Sequence, residues 1–363
     1  MEFIPPLAAL LLAFVFTPIM RKLSRNTGIL DYPDKRKTHG KAMPLLGGVA
    51  VYLAFWLTAW GVLYFNQGSP FGGDLRGLFW GSTLILALGL YDDMRGLSFK
   101  VKFAGQFAAA LILLAFNIRI EFITYPFNDN MIFLGVLMVP LTLLWVVGVT
   151  NAVNLIDGVD GLATGVCAIA AFVMFAYTRG ESPLLAVLCL VLVGSALGFL
   201  PFNFPSARIY LGDTGSLFLG FMLAGFSIMG ATKQATLTTL ILPVLILGLP
   251  ITDTFYVMWR RFKSGRSIFQ ADRSHIHHKL LSLGLTPKQT TLLLYLISLY
   301  FGGAAIFFSH ISSPLALYFI PVIFVVFLLL LKRLDAMNIL QRAAKELSLL
   351  TGRRRPSQQR RKW

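Results

Sequence analysis

Residues 131–178, MIFLGVLMVPLTLLWVVGVTNAVNLIDGVDGLATGVCAIAAFVMFAYT, hold two long apolar runs separated by a polar block containing Asn151, Asn154, Asp157 and Asp160. A helix needs about 20 mostly apolar residues to cross a bilayer. The runs at 131–150 and 162–178 approach or meet that length. Gly158 and Gly161 sit inside the block, where they break the helix and let a ligand approach the backbone. The stretch predicts two membrane-crossing helices joined by a polar elbow at one face of the membrane.

The same alternation extends in both directions. Soluble domains average about 45–50 % apolar and about 25 % charged residues, whereas this 363-residue chain is 56 % hydrophobic and 13 % charged, with a mean hydropathy of +0.72. Further apolar segments lie near 3–20, 47–65, 77–91, 103–118, 184–200, 215–230, 236–258, 289–309 and 314–331. The expectation is an all-α polytopic membrane protein of about eleven transmembrane helices, with one transmembrane domain over 1–332 carrying the chemistry. The first segment has Glu2 where a signal peptide has a basic region, lacks a small-residue cleavage site and is followed by Arg21-Lys22, so it reads as an uncleaved anchor. Residues 333–363 form a basic tail whose Leu340, Ala343, Leu347 and Leu350 recur at helical spacing, as in an interfacial amphipathic helix.

Of the 32 Lys and Arg residues, 28 fall after odd-numbered segments, the tail included, and only Arg76, Arg119, Arg179 and Lys233 fall on the other side. Basic loops stay in the cytoplasm, which places the N-terminus outside and the tail inside. A net charge of +16 then reflects a face lying beside anionic lipid headgroups rather than a nucleic-acid partner. Cys167 and Cys189 lie in apolar segments without metal-binding spacing and read as core residues.

Ionisable residues at the ends of apolar helices are costly and tend to mark function. Asp92, Asp93, Asp157, Asp160 and Asp213 all lie at expected cytoplasmic helix ends. In LGLYDDMRGLSFKVK (88–102) the adjacent carboxylates of Asp92 and Asp93 need a cation or a basic group beside them to ionise together, and Arg95, Lys100 and Lys102 follow. In NAVNLIDGVDGLATG (151–165) Asn151, Asn154 and Asp157 are spaced by three, with Asp160 continuing the series, so that oxygen ligands for a hard cation share one helix face. In IYLGDTGSLFLG (209–220) Asp213 opens a helix, where it reads as an N-cap, as part of an anion or metal site, or as both.

Loop 259–288 contains RRFKSGRSIFQADRSHIHHKL (260–280), with His275, His277 and His278 just after Asp272-Arg273. Zinc ligation is one reading of the histidines. Without Cys or a suitable Glu nearby, donation to phosphate oxygens ranks above it. Hard oxygen ligands beside Arg, Lys and His donors are what phosphoryl transfer needs. A soluble substrate alone would not call for so many helices around the site, which points to a lipid phosphate as one reactant.

PLLGG (44–48), DDMRG (92–96), NAVNLIDGVDGLA (151–163), GDTGS (212–216) and DRSHIHH (272–278) together resemble the polyprenyl-phosphate N-acetylhexosamine-1-phosphate transferase family along most of the chain. The HIHH form is similar to the undecaprenyl-phosphate GlcNAc-1-phosphate transferase branch; the muramyl-pentapeptide branch has three adjacent histidines where Ile276 intervenes here. The resemblance implies transfer of GlcNAc-1-phosphate from UDP-GlcNAc to undecaprenyl phosphate with Mg2+ or Mn2+, starting a cell-envelope glycan at the cytoplasmic face of a bacterial inner membrane. Another UDP-N-acetylhexosamine donor is the alternative. The implied partners are both substrates and membrane lipid, with a second copy of the chain left open.

The resemblance places Asp213 and Asn154 near the metal, and Asp92 and Asp93 at the lipid phosphate or the metal. Asp157 joins them as a catalytic candidate. Lys102, Arg273, His275, His277 and His278 fall at the pyrophosphate, and Asp160 and Tyr210 at the uracil. Related proteins often carry Phe at the position of Tyr210, and either ring can stack. Direct attack by the lipid phosphate and a covalent Asp intermediate both remain open.

Three rivals explain less of the chain. Tyr91-Asp92 and Leu211-Gly212-Asp213 match the YD and LGD signatures of intramembrane aspartyl proteases, but leave the 151–160 stripe and HIHH without a role. Asp157 to Gly161 matches the D-x-x-D-G of CDP-alcohol phosphotransferases without the rest of that motif. An ion-coupled transporter would place its Asp residues near mid-membrane, not at helix ends.

Overall fold

The computed structural model describes residues 3–32, 42–65, 72–124, 131–231, 241–265, 275–309, 322–329, 332–333 and 336–337. The described chain is mostly helical. Six helices are long and apolar enough to cross a membrane by length and composition: α1 (Ile4–Thr27), α2 (Gly47–Phe65), α5 (Met138–Ile156) with the turn before it, α7 (Pro183–Asn203), α8 (Gly212–Ala231) and α12 (Pro287–Ser309). Between them lie α3 (Gly72–Arg95), α4 (Phe99–Ala115) and α6 (Leu162–Thr178), followed later by the short α9 (Ile241–Ile246), α10 (Gly248–Lys263) and α11 (Ile276–Ser282). This is the architecture of a polytopic membrane protein.

Two segments differ from the sequence expectation. The apolar run at 236–258 is not one helix: its described part is α9 and α10, separated at Leu247, whose φ of −94° and ψ of 21° leave helical geometry. The run at 131–150 begins as a strand. Antiparallel β3 (Phe122–Thr124) and β4 (Met131–Phe133) pair Ile123 with Ile132, and α5 starts only after Gly135, whose φ of +52° suits glycine. A second two-stranded ladder, β1 (Leu30–Asp31) with β2 (Met43–Pro44), lies between α1 and α2. The described residues are therefore all-α apart from two short ladders, one of them partly in a segment expected to be helical. The tail beyond 337 and much of 314–331 lie outside the described residues.

Helix α8 forms the axis of the bundle. Every residue from Thr214 to Ala231 is buried, and the helix packs against α2, α3, α5, α6 and α7. Without a hydrophobic drive between helices in lipid, close packing depends on small residues. A Cβ on Gly48 of α2 would lie 2.2 Å from the Gly215 nitrogen, one on Gly89 of α3 2.6 Å from the Thr214 Cα, and one on Gly220 2.9 Å from the Thr150 Cα of α5. These contacts hold the first turn of α8 against the ends of α2 and α3. Side-chain hydrogen bonds between helices support the packing, including Trp56 Nε1 to Ser82 Oγ at 3.0 Å and Trp145 Nε1 to Ser227 Oγ at 2.8 Å.

Candidate functional site

The site is built on the first turn of α8. Gly212, with a φ of +72°, turns the chain into the helix at a place where a Cβ would meet Asp93 Oδ2 at 2.5 Å. The first turn of a helix presents free N–H groups. Asp93 of α3 accepts from the Asp213 and Thr214 nitrogens at 2.9 and 3.0 Å and from Thr214 Oγ1 at 2.6 Å. The carboxylate that caps α8 is thus Asp93, reaching across from another helix. Asp213, for which the sequence left open a cap, a metal site or both, does not cap the helix and turns its side chain elsewhere.

That side chain faces a row of polar groups. Lys102 of α4 places its Nζ between Asp92 Oδ2 and Asp213 Oδ2 and pairs with both. Asp213 Oδ1 accepts from Asn154 Nδ2 at 2.9 Å, and the same amide donates to Ser216 Oγ at 2.9 Å. Asp92 Oδ1 also accepts from the Leu97 nitrogen. The adjacent pair therefore divides its work, with Asp93 capping a helix and Asp92 entering an ion-pair row. Asn151, one turn earlier on α5, bonds Gln106 of α4 and the Val147 carbonyl, which makes it a packing group.

The polar stripe of 151–160 stops being helical at Ile156. Asp157 follows α5 and Asp160 lies in the turn before α6, so these two carboxylates are placed by a loop. Asp157 receives no hydrogen bond from the described residues. Burial, followed by the fields of Asp213, Asp93 and Asp160, raises its pKa well above the ordinary carboxylate value. Asp160 accepts from the Ala207 nitrogen at 2.9 Å, and Asn203 Nδ2 donates to the Ile209 carbonyl at 3.1 Å. These two bonds fix the 204–211 loop that carries Tyr210.

PLLGG serves the same loop. The Tyr210 nitrogen donates to the Pro44 carbonyl at 2.8 Å, and the Gly47 and Gly48 nitrogens donate to the Tyr210 and Leu211 carbonyls at 3.2 and 2.9 Å. The free N–H groups at the start of α2 thus hold the chain entering α8. Burial and the nearby carboxylates of Asp160, Asp31 and Asp157 raise the Tyr210 pKa and keep the phenol neutral.

The histidines close the site from α11 and its leading residue. His277 is 1 % exposed, and a Cβ on Gly158 would lie 2.2 Å from its Nε2. This joins the histidine run to the Asp157–Asp160 loop. Among the described residues neither ring nitrogen of His277 has a hydrogen-bond partner. Burial, then His278 and His275, hold its pKa well below the ordinary value, so the ring is neutral. His277 and His278 have ring centroids 4.2 Å apart. Arg273 lies outside the described residues.

One buried carboxylate that contacts the histidine run was missed from sequence. Asp253 of α10, 0 % exposed, contacts His275 Nδ1 through Oδ2 at 2.9 Å and accepts from the Ile276 nitrogen through Oδ1 at 2.9 Å. A lone carboxylate within the apolar run 236–258 was the available signal.

Among the described residues no three His, Cys, Asp or Glu side chains already converge as a metal site. The donor set still suits a hard cation. Asp92 and Asp213 face one ammonium, Asp157 is uncompensated, and Asn154 has its amide oxygen left over. Magnesium typically takes one or two carboxylates and completes its shell with water and substrate phosphates. Carboxylates, a lysine and histidines at the end of a helix bundle are equipped to gather phosphates and stabilise charge between them.

The family model described as Glycosyl transferase family 4 matches residues 75–231, the span that contains the acidic row and α8. The chain is 37 % identical over 321 residues to a probable undecaprenyl-phosphate N-acetylglucosaminyl 1-phosphate transferase of Bacillus subtilis (strain 168), covering 88 % of each chain. The chain belongs to this transferase family. It is also 33 % identical to a decaprenyl-phosphate N-acetylglucosaminephosphotransferase of Mycolicibacterium smegmatis, over 84 % of this chain and 82 % of the relative. With an undecaprenyl-phosphate alpha-N-acetylglucosaminyl 1-phosphate transferase of Thermotoga maritima it shares 30 % identity over 80 % and 86 % of the two chains. Membership of the family makes it a membrane-embedded glycosyl-1-phosphate transferase.

Proposed function

We propose that the protein transfers GlcNAc-1-phosphate from UDP-GlcNAc to undecaprenyl phosphate. A lipid-phosphate oxygen bonds to the β-phosphorus of the donor, the bond from that phosphorus to the oxygen bridging the two phosphates breaks, and UMP leaves with the bridging oxygen. The product is undecaprenyl-diphospho-GlcNAc. The observation that carries this reading is Lys102 held between Asp92 and Asp213 at the first turn of α8, in a chain whose relatives are named for this transfer.

Asp213, the amide oxygen of Asn154 and Asp92 would hold Mg2+ or Mn2+, which when bound neutralises phosphate charge and polarises the bond that breaks. Lys102 is placed to take up charge on the pyrophosphate. Asp93 acts by fixing the first turn of α8. Asp157 is crowded by like charge in a way that favours a proton or a cation on its carboxylate, as suits a group that exchanges protons with the acceptor phosphate. Tyr210 stacks on the uracil, while Asp160, with Oδ2 committed to Ala207, offers Oδ1 to its polar edge. His275, His277, His278 and Arg273 address the diphosphate.

The same reading sets the N-terminus outside, the basic tail inside, about eleven crossings and an active site at the cytoplasmic face of a bacterial inner membrane. The test is UMP release and lipid-product formation by the purified protein given undecaprenyl phosphate and a panel of UDP-sugars. The expected result is turnover with UDP-GlcNAc and loss of turnover in EDTA. Comparable turnover of UDP-MurNAc-pentapeptide would overturn the donor assignment. Labelling of a cysteine placed near 264 from outside intact cells would overturn the orientation.

A further inference from the structure

Asp253 has no bond to the acidic row, yet it organises the histidine end of the site. Its two oxygens divide between a side chain and a backbone group, with Oδ2 at His275 Nδ1 and Oδ1 accepting from the Ile276 N–H, both at 2.9 Å. One turn further along the same face of α10, the Tyr256 ring lies 4.2 Å beneath the Lys279 ammonium. Helix α10 therefore grips α11 at two points one turn apart on each helix. The gripped helix presses the buried His277 ring onto Gly158.

A fully buried carboxylate in an apolar segment is costly, and apolar side chains of similar size would hold two helices together at least as well. What an apolar residue cannot do is choose a tautomer. Asp253 Oδ2, as an acceptor facing Nδ1, keeps the His275 proton on Nδ1 and leaves Nε2 as the ring's remaining polar face. We infer that Asp253 is a positioning residue of the transfer reaction, fixing the His275 tautomer and the seat of α11 so that the imidazoles meet the diphosphate of the nucleotide-sugar donor. This assignment rests on the functional reading above.

The decisive variant is Asp253→Asn in the full-length protein. The amide oxygen keeps the Ile276 N–H, while the amide nitrogen, now a donor, turns toward His275 Nδ1 and drives the ring proton to Nε2. Nitrogen-15 NMR of histidine-labelled protein without substrate reads that shift directly. With UDP-GlcNAc the expected outcome is a rise in donor KM of about tenfold, equivalent to about 1.4 kcal/mol, with the KM for undecaprenyl phosphate unchanged. Asp253→Glu should recover part of the loss. In a His275→Ala background, Asp253→Asn should add little, because the two residues act as one unit. An unmoved tautomer with an unchanged donor KM would overturn the inference, as would a fall in kcat alone that tracks lost folded protein. If wild-type protein did not turn over UDP-GlcNAc, the functional reading would fail, while the tautomer measurement would still decide whether Asp253 sets His275.

Discussion

Asp213→Asn separates a cap from a ligand. Because Asp93, not Asp213, accepts the free N–H groups of α8, the substitution leaves the helix start intact. Asp213 gives one oxygen to Lys102 and the other to Asn154 Nδ2. Asparagine has one acceptor oxygen, so it can satisfy only one of these donors, and its own NH2 must face the other. The loss is one charge-assisted hydrogen bond, about 1.5–3 kcal/mol, and the low end applies because Lys102 keeps Asp92 and the side chains are 24 % and 28 % exposed. The protein should therefore still fold and insert. Catalysis loses more: removing one anionic oxygen from the cation site should cut turnover by about 10²–10³, the range seen when a group that stabilises transition-state charge is removed. The magnesium curve should also move to higher concentration. The assay is UMP release against magnesium concentration in detergent, with a thermal melt as the folding check. Near wild-type turnover with an unshifted magnesium curve, in a variant that melts normally, would refute the claim that Asp213 faces the metal.

Three further perturbations test the surroundings. Gly89→Ala would put a Cβ 2.6 Å from the Thr214 Cα, where backbone must give way, so melting temperature and turnover should fall together by overpacking of about 1–3 kcal/mol; Gly73→Ala in the same helix, with nothing within 4 Å, should do neither. Gly158→Ala would meet His277 Nε2 at 2.2 Å and should raise the donor KM while leaving the acceptor KM alone; equal effects on both would show that the contact is mere packing. Asp157 has a folded pKa raised by burial and by Asp213, Asp93 and Asp160, so between the ordinary carboxylate value and the raised one the native state binds more protons than the unfolded chain. Its contribution to stability therefore falls as pH rises through that window. Asp157→Asn removes this slope, and in EDTA it should melt above wild type near about pH 8, converge with it near about pH 3, and turn over poorly; a variant less stable than wild type at the higher pH would show that the carboxylate is compensated.

The polar motifs were legible because the chain is so apolar: five Asp residues at helix ends stand out against 13 % charged residues. Their division of labour was not. That Asp93 caps α8 depends on a contact 120 positions away in sequence, and nothing in the DDMRG pattern separates Asp93 from Asp92. The three-residue spacing of Asn151, Asn154 and Asp157 suggested one continuous face, but the helix ends at Ile156 and Asn151 pairs with Gln106 instead. PLLGG was recognised only as a motif; its reason is the pairing of the Gly47 and Gly48 nitrogens with the 210–211 carbonyls. Hydropathy averages hid both Asp253 and the break at Leu247, because a window long enough to find a span smooths over one carboxylate and one irregular residue.

The two halves of the site are held by different means, and this sets what each can tolerate. The acidic row rests on the ends of α3, α4, α5 and α8, and glycine contacts fix α3 and α5 against the buried α8; helix backbones touching at these distances cannot yield separately. Adding a Cβ at one of those glycines must strain the whole bundle, so there stability and turnover should move together. The histidine run instead rests on the seven residues of α11 and depends on α10 through Asp253 and Tyr256. A change there can tilt α11 without disturbing α8, so it should alter donor affinity with little effect on the acidic row. On the function proposed above, the half that would hold the metal and the lipid phosphate is the rigid one, and the half that would meet the nucleotide-sugar is the one that side-chain substitutions can adjust.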